Sequence, residues 1–180
     1  MSEPSRTAIL AEAIKAFGER GYHGTSMREV AVAAGIEKSV IYYWFASKQA
    51  LWEGAVDDAA LALVARLQGP WRPAPGAAPV PAPWIQGYID TVLRWGQERP
   101  EAARLLARSL VEPEPLQNTG AHHFAPFAAE LHQIEAGGPP LLGAAIGGLV
   151  KELLVRTLQD EAVPPDAGAQ AVSLLLGGGA

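Results

Sequence analysis

Between Thr7 and Arg20 the apolar residues Ile9, Leu10, Ala13, Ile14 and Phe17 recur at the spacing of one helix face, and Gly21 follows as a stop. A second start falls at Thr25-Ser26, where Ser26-x-x-Glu29 has the spacing of a capping box. The short helix it opens carries Val30, Ala31 and Ala34 and ends at Gly35, leaving Ile36 and Glu37 for a tight turn. Lys38 to Phe45 reads as a third helix. After the polar break Ala46-Ser47, a long one runs from Lys48 to Leu67 through Leu51, Trp52, Val56, Leu61, Leu63 and Val64.

The pattern then changes. Prolines 70, 73, 75, 79, 81 and 83 exclude a continuous helix, so Gly69–Pro83 is expected to be an extended connector. Helical periodicity returns over Trp84–Glu98 and Glu101–Val111, with Pro100 suited to a first turn and Pro113 and Pro115 closing the second. A weaker helix is expected over His122–Glu135, a strongly apolar one over Pro140–Leu158 and a last one over Asp166–Leu176. No stretch alternates as a strand. The expected fold is all-α: an N-terminal three-helix helix-turn-helix domain over 1–47, joined to a helical-bundle domain for ligand binding and dimerisation over 48–180.

Composition narrows the class. An apolar fraction of 49% across 180 residues fits a globular protein. No apolar run is long enough to span a bilayer, no secretory signal opens the chain, and no membrane partner is expected. The absence of cysteine excludes disulfides and thiolate metal sites, and the expected location is cytoplasmic. The net charge of −5 is uneven. Residues 1–50 hold six basic side chains against five acidic, and the remainder eight against fourteen. A near-neutral head on an acidic body permits local phosphate contact while suppressing indiscriminate binding to nucleic acid.

A helix, a glycine-containing turn and a second helix, braced by a preceding helix, make the layout of a three-helix DNA reader. Ile41 and Phe45, four residues apart, share one face and can lock the third helix onto Phe17 and Val30. Lys38, Ser39, Tyr42 and Tyr43 are then left for a duplex. Three consecutive aromatics, Tyr42, Tyr43 and Trp44, cannot all face one core, so at least one is exposed. Tyrosine hydroxyls and the Trp44 indole N–H can donate to phosphate oxygens, and Lys48 adds charge where the next helix starts.

The stretch Gly21-Tyr22-His23-Gly24-Thr25-Ser26-Met27-Arg28-Glu29-Val30-Ala31, then Ala34-Gly35-Ile36, then Ile41 through Leu51, resembles the signature of the TetR family of repressors. The resemblance covers about residues 7–56. It implies a homodimer that binds a pseudo-palindromic double-stranded DNA operator and releases it when a small-molecule effector enters the C-terminal domain. On the matching positions, it implies phosphate contacts from Thr25, Ser26, Tyr42, Trp44 and Lys48, with Arg28, Lys38, Ser39 and Tyr43 near base edges. The chain departs from the pattern at Glu37, where a small polar cap is more usual. It departs again at Ser39, often glycine, and at Trp44, often histidine or tyrosine.

Signals behind the head are softer. Trp84, Tyr88, Trp95, Phe124 and Phe127 are expected to line an apolar ligand cavity between helices. His122, His123 and His132 with Glu130 raise the question of metal, but adjacent histidines diverge by about 100° on an α-helix. No His-x-x-His or His-x-x-x-His pair exists, so no metal site and no cofactor are expected. No catalytic set emerges either: Ser109 lies in a helical run without a nucleophile elbow. Gly143-x-x-x-Gly147 in the Pro140–Leu158 helix invites close approach of another helix. That helix and Ala169–Leu176 are expected to form a four-helix dimer seam with their symmetry mates. The function expected is a ligand-responsive transcriptional regulator, a repressor, and not an enzyme. The alternative is a helical small-molecule-binding module without specific DNA binding.

Overall fold

Local signals decide where the first four helices begin and end. The computed structural model describes residues 6–68, 82–113, 116, 117 and 119–124. Helix α1, Arg6–Arg20, buries Ile9, Leu10, Ala13, Ala16 and Phe17 on one face. It stops where the Gly21 N–H donates to the Phe17 carbonyl at 2.8 Å. Helix α2, Met27–Ala33, packs on α1 and on α3, Lys38–Trp44, and α4, Lys48–Arg66, starts at the Ser47 hydroxyl, which accepts from the Ala50 N–H at 3.1 Å. Helices α5, Ala82–Glu98, and α6, Pro100–Val111, follow, then a single 3-10 turn over Ala121–Phe124. No strand occurs among the described residues, as the pattern predicts.

Beyond shifts of a single residue at helix ends, two segments differ from the sequence expectation. Helix α5 begins two residues earlier, taking in Ala82 and Pro83, which the proline count assigned to the connector. A proline in a first helical turn forfeits no intrahelical bond, because the first N–H groups have no partner there anyway. The expected helix from His122 is a 3-10 turn where it is described. The remainder of that segment, the rest of the 69–83 connector, and the Pro140–Leu158 and Asp166–Leu176 helices lie outside the described residues.

Helix α4 is the axle of the described core. Leu51, Trp52, Ala55, Val56, Ala59, Ala60 and Leu63 are buried, a stripe wide enough to meet α1, α5, α6 and the 3-10 turn at once. The Trp52 ring stands edge-on to Phe17, with centroids 5.2 Å apart, and to Tyr22 at 5.7 Å, joining the head to the body through aromatic packing.

The second junction is α1 against α6. A side chain on Gly18 would run into the backbone carbonyl of Glu101, so glycine there lets the two helices touch. Arg108 completes the contact across 90 residues of sequence. Its Nε donates to the Gly18 carbonyl at 3.1 Å and its terminal nitrogen to the Glu19 carbonyl at 3.2 Å. A cation thus meets the carbonyl-rich end of α1, where backbone acceptors lack helical partners. The Arg66–Glu98 pair at 2.7 Å links α4 to α5 but is exposed, and such pairs contribute about 0–1 kcal/mol.

Candidate nucleic-acid interface

The loop before α2 is built to hold one hydroxyl inward and one outward. Thr25 is buried, and its Oγ1 lies 3.0 Å from the Ala16 carbonyl and 2.9 Å from the Gly21 carbonyl, both at the end of α1. Its hydroxyl therefore fastens α2 to α1 and is turned away from the surface on which a phosphate contact was expected. Ser26 is exposed and forms the complete capping box. The Glu29 N–H donates to its Oγ at 3.2 Å, and the Ser26 N–H donates to Glu29 Oε2 at 2.8 Å. The Ser26 hydroxyl also lies 2.8 Å from the same carboxylate. These bonds hold the Glu29 carboxyl below the usual carboxylate range, the Ser26 side chain first and its backbone N–H second.

Gly35 lets the chain reverse between α2 and α3 with φ +67°, a conformation that costs glycine little. Helix α3 then divides sharply. Ile41 is fully buried and Phe45, just past the helix, is 4% exposed; both lie in the cluster that contains Phe17 and Val30. On the other side Tyr42 is 44%, Tyr43 81% and Trp44 40% exposed. The Tyr43 and Trp44 rings meet edge to face at 5.4 Å, and the Lys38 ammonium lies 5.7 Å from the Tyr42 ring centroid. Glu37 is the N-cap residue of α3 but makes no side-chain cap bond, in keeping with its departure from the usual small polar residue.

Lys48 is half-buried at the start of α4, its Nζ 4.3 Å from the centroid of the Tyr22 ring. A cation held over an aromatic face loses side-chain freedom, which fixes one positive point beside α3. Arg28, Lys38 and Ser39 are exposed. Of the nine residues expected at a DNA surface, the structure therefore exposes seven, half-buries Lys48 and turns Thr25 inward. The exposed set offers hydroxyl, indole and cationic donors along α2 and α3, the chemistry that phosphate and base-edge contacts use.

The aromatics expected around a ligand cavity behave differently. Trp84, Tyr88 and Trp95 are all buried, and the first two stack with centroids 5.9 Å apart. Burial pushes the Tyr88 phenol up to about 12, so it stays protonated at any physiological pH. The fully buried indole N–H of Trp95 has no hydrogen-bond partner among the described residues. Phe124 ends the 3-10 turn, and Phe127 lies outside the described residues. Sequence reasoning missed two pairings that only folding creates: Arg108 on the end of α1, and His123 Nε2 at 3.1 Å from Asp57 Oδ1. Their partners are 90 and 66 residues apart.

A first helix buried on one face, a capped second helix, a glycine turn and a third helix anchored by Ile41 with its aromatics exposed define a helix-turn-helix protein. Residues 9–55 match the family model described as bacterial regulatory proteins, tetR family. Over those residues the chain carries a tetR-family helix-turn-helix. It is 30% identical over 116 residues to the HTH-type transcriptional regulator RutR of Escherichia coli K12, covering 62% of this chain and 50% of RutR. It is 40% identical over 48 residues to the biofilm operon icaADBC negative transcriptional regulator IcaR of Staphylococcus aureus, covering 27% of this chain and 26% of IcaR. The chain spans half or less of the length of these curated relatives. Among solved structures, the transcriptional regulator FadR of Bacillus subtilis in complex with stearoyl-CoA superposes with a TM-score of 0.78 at 15% identity, over 97% of this chain and 99% of that one. A TetR-like regulator from Rhodococcus sp. RHA1 superposes at 0.72 with 21% identity, over 94% and 92%. These similarities extend the shared helical fold beyond the head.

Proposed function

We propose that this protein is a transcriptional repressor that binds a pseudo-palindromic operator as a homodimer and releases it when a small apolar or amphipathic effector binds. It works without catalysis. The observation that carries the reading is the exposed run Tyr42-Tyr43-Trp44 on a helix anchored to the core by the fully buried Ile41. Three large aromatics in water are costly to keep there without a partner, and these three are flanked by Lys38 and Lys48. In this reading Tyr42, Trp44, Ser26 and Lys48 meet phosphates, and Arg28, Lys38, Ser39 and Tyr43 lie near base edges. Thr25 keeps its place as the bolt between α1 and α2.

The division of labour is a reader over 1–47 and a regulatory domain over 48–180. For the effector we favour the buried side of α5, where Trp84, Tyr88 and Trp95 supply apolar surface and the Trp95 N–H supplies a donor for an acceptor group. The complex of FadR with stearoyl-CoA gives an amphipathic ligand precedent in a protein of similar fold. The two-fold-related third helices of a dimer must lie about 34–36 Å apart to enter successive major grooves. An effector that binds a state with another spacing removes the protein from DNA in proportion to its differential affinity. Two helices can carry that change: α4, which begins at Lys48, and α6, which Arg108 ties to the end of α1.

Fluorescence anisotropy against DNA upstream of the protein's own gene, with a scrambled duplex and a panel of genomic fragments beside it, tests the reading. Selective tight binding to at least one natural fragment is expected. Equal, weak binding to every duplex by the folded protein would replace the reading with a helical small-molecule-binding module.

A further inference from the structure

Asp57, in the middle of α4, and the adjacent histidines of the 3-10 turn come together although 65 residues of sequence separate them. One ligand atom from each of Asp57, His122 and His123 lies within 4.8 Å of the other two. His123 Nε2 and Asp57 Oδ1 are 3.1 Å apart, and the two imidazole centroids are 3.9 Å apart with a 42° tilt. We propose that these three side chains form a binding site for one divalent transition-metal ion of the zinc, nickel or cobalt kind, fastening the 3-10 turn to α4.

The turn is held at this place by the backbone before any ion binds. Gly120 has φ +79° and is buried directly on α4, where a Cβ would lie 2.9 Å from Val56 Cγ1. No other residue meets both demands, so glycine brings the chain onto α4 one residue before Asp57. The His123 N–H donates to the Gly120 carbonyl at 3.1 Å, and the Thr119 hydroxyl donates to the Leu116 carbonyl at 2.7 Å. Neighbours in a 3-10 turn diverge by about 120°, so the 3.9 Å approach of the His122 and His123 rings is made by their side-chain torsions.

Donor chemistry and spacing fit the ion class. Two imidazole nitrogens and one carboxylate oxygen suit a borderline ion better than calcium or magnesium, which favour all-oxygen shells. Bond lengths of about 2.0–2.2 Å at tetrahedral angles place donors about 3.3–3.6 Å apart. The Asp57–His123 pair is already that close. His122 is exposed and closes the remaining separation by side-chain rotation. Water from its open side completes the fourth position. Asp57 lies nine residues after Lys48, roughly 13 Å along the same helix. An ion here therefore holds α4 against the turn and biases the helix that leads to the reader, a consequence that rests on the proposed function, whereas the binding site does not.

Untagged full-length protein titrated with Co2+ and followed by visible d–d absorption, with Zn2+ displacement by calorimetry, reads the site directly. One ion per chain is expected. Asp57→Asn, His122→Gln and His123→Gln should each weaken it by about tenfold or more, while His23→Gln leaves it unchanged. His122 is exposed, so its variant keeps the fold even if one of the others does not. No Co2+ uptake by the wild-type chain, or uptake that survives His122→Gln and His123→Gln, would overturn the site. Because the readout is on the protein alone, loss of the DNA-binding reading leaves it standing. A change in DNA affinity on adding Zn2+, absent in His122→Gln, then reports the link through α4.

Discussion

Helices α3 and α5 both carry three large aromatics, and their fates are opposite. In α3 they are consecutive, Tyr42, Tyr43 and Trp44, and all three meet solvent. In α5 they are Trp84, Tyr88 and Trp95, spaced by four and seven, and all three are buried. Residues four and seven apart stack on one helix face, which can be covered by one partner surface, whereas three neighbours sweep most of the circumference. In α3 the covered face was already taken by Ile41, with Phe45 just beyond the helix end. Spacing, more than residue type, separates aromatics that hold a fold together from aromatics that are available to a partner.

That comparison is broken most forcefully at Trp95. Trp95→Ala removes a buried ring and should cost about 3–5 kcal/mol, read as a fall in the denaturant midpoint with little change in slope. A loss under 1 kcal/mol would mean that α5 packs far more loosely than its burial implies. Ser26→Ala removes the α2 cap without touching either aromatic set and should cost about 1 kcal/mol by the same measurement. Smallest of all in stability is Tyr43→Ala, expected within about 0.5 kcal/mol of wild type, because an 81% exposed ring has little packing to lose. The order reverses for DNA affinity: Tyr43→Ala weakens binding in an anisotropy titration while the still-folded fraction of Trp95→Ala binds as wild type does. A Tyr43→Ala protein with full affinity would return that ring to the category of incidental exposure.

The head was legible in the sequence because its boundaries are written locally. Gly21, the Ser26–Glu29 pair, Gly35 and Ser47 each act within four residues of themselves, and the helices begin or end at or beside all of them. The burial of Ile41 and Phe45 follows from a period of four. What was not legible is tertiary. Thr25 and Ser26 are both good cap residues, and only the carbonyls of Ala16 and Gly21, presented by α1, decide that Thr25 turns inward. Arg108 reads as one more surface cation in an amphipathic helix until α1 arrives beside it. Asp57 has no partner within helical reach that would hint at His123. The early start of α5 went unread for another reason: Pro83 weighs as a breaker in a window and is harmless in a first turn.

A DNA surface made of the exposed side of α3 and the start of α4 must answer to salt through Lys48. It is tested most directly by the salt dependence of binding for wild type and Lys48→Ala on selected and scrambled duplexes. The account predicts that Lys48→Ala weakens both duplexes alike and lowers the slope of log affinity against log salt by about one, as loss of one phosphate contact requires. An unchanged slope, or a loss confined to the selected sequence, would contradict it and remove Lys48 from the phosphate surface.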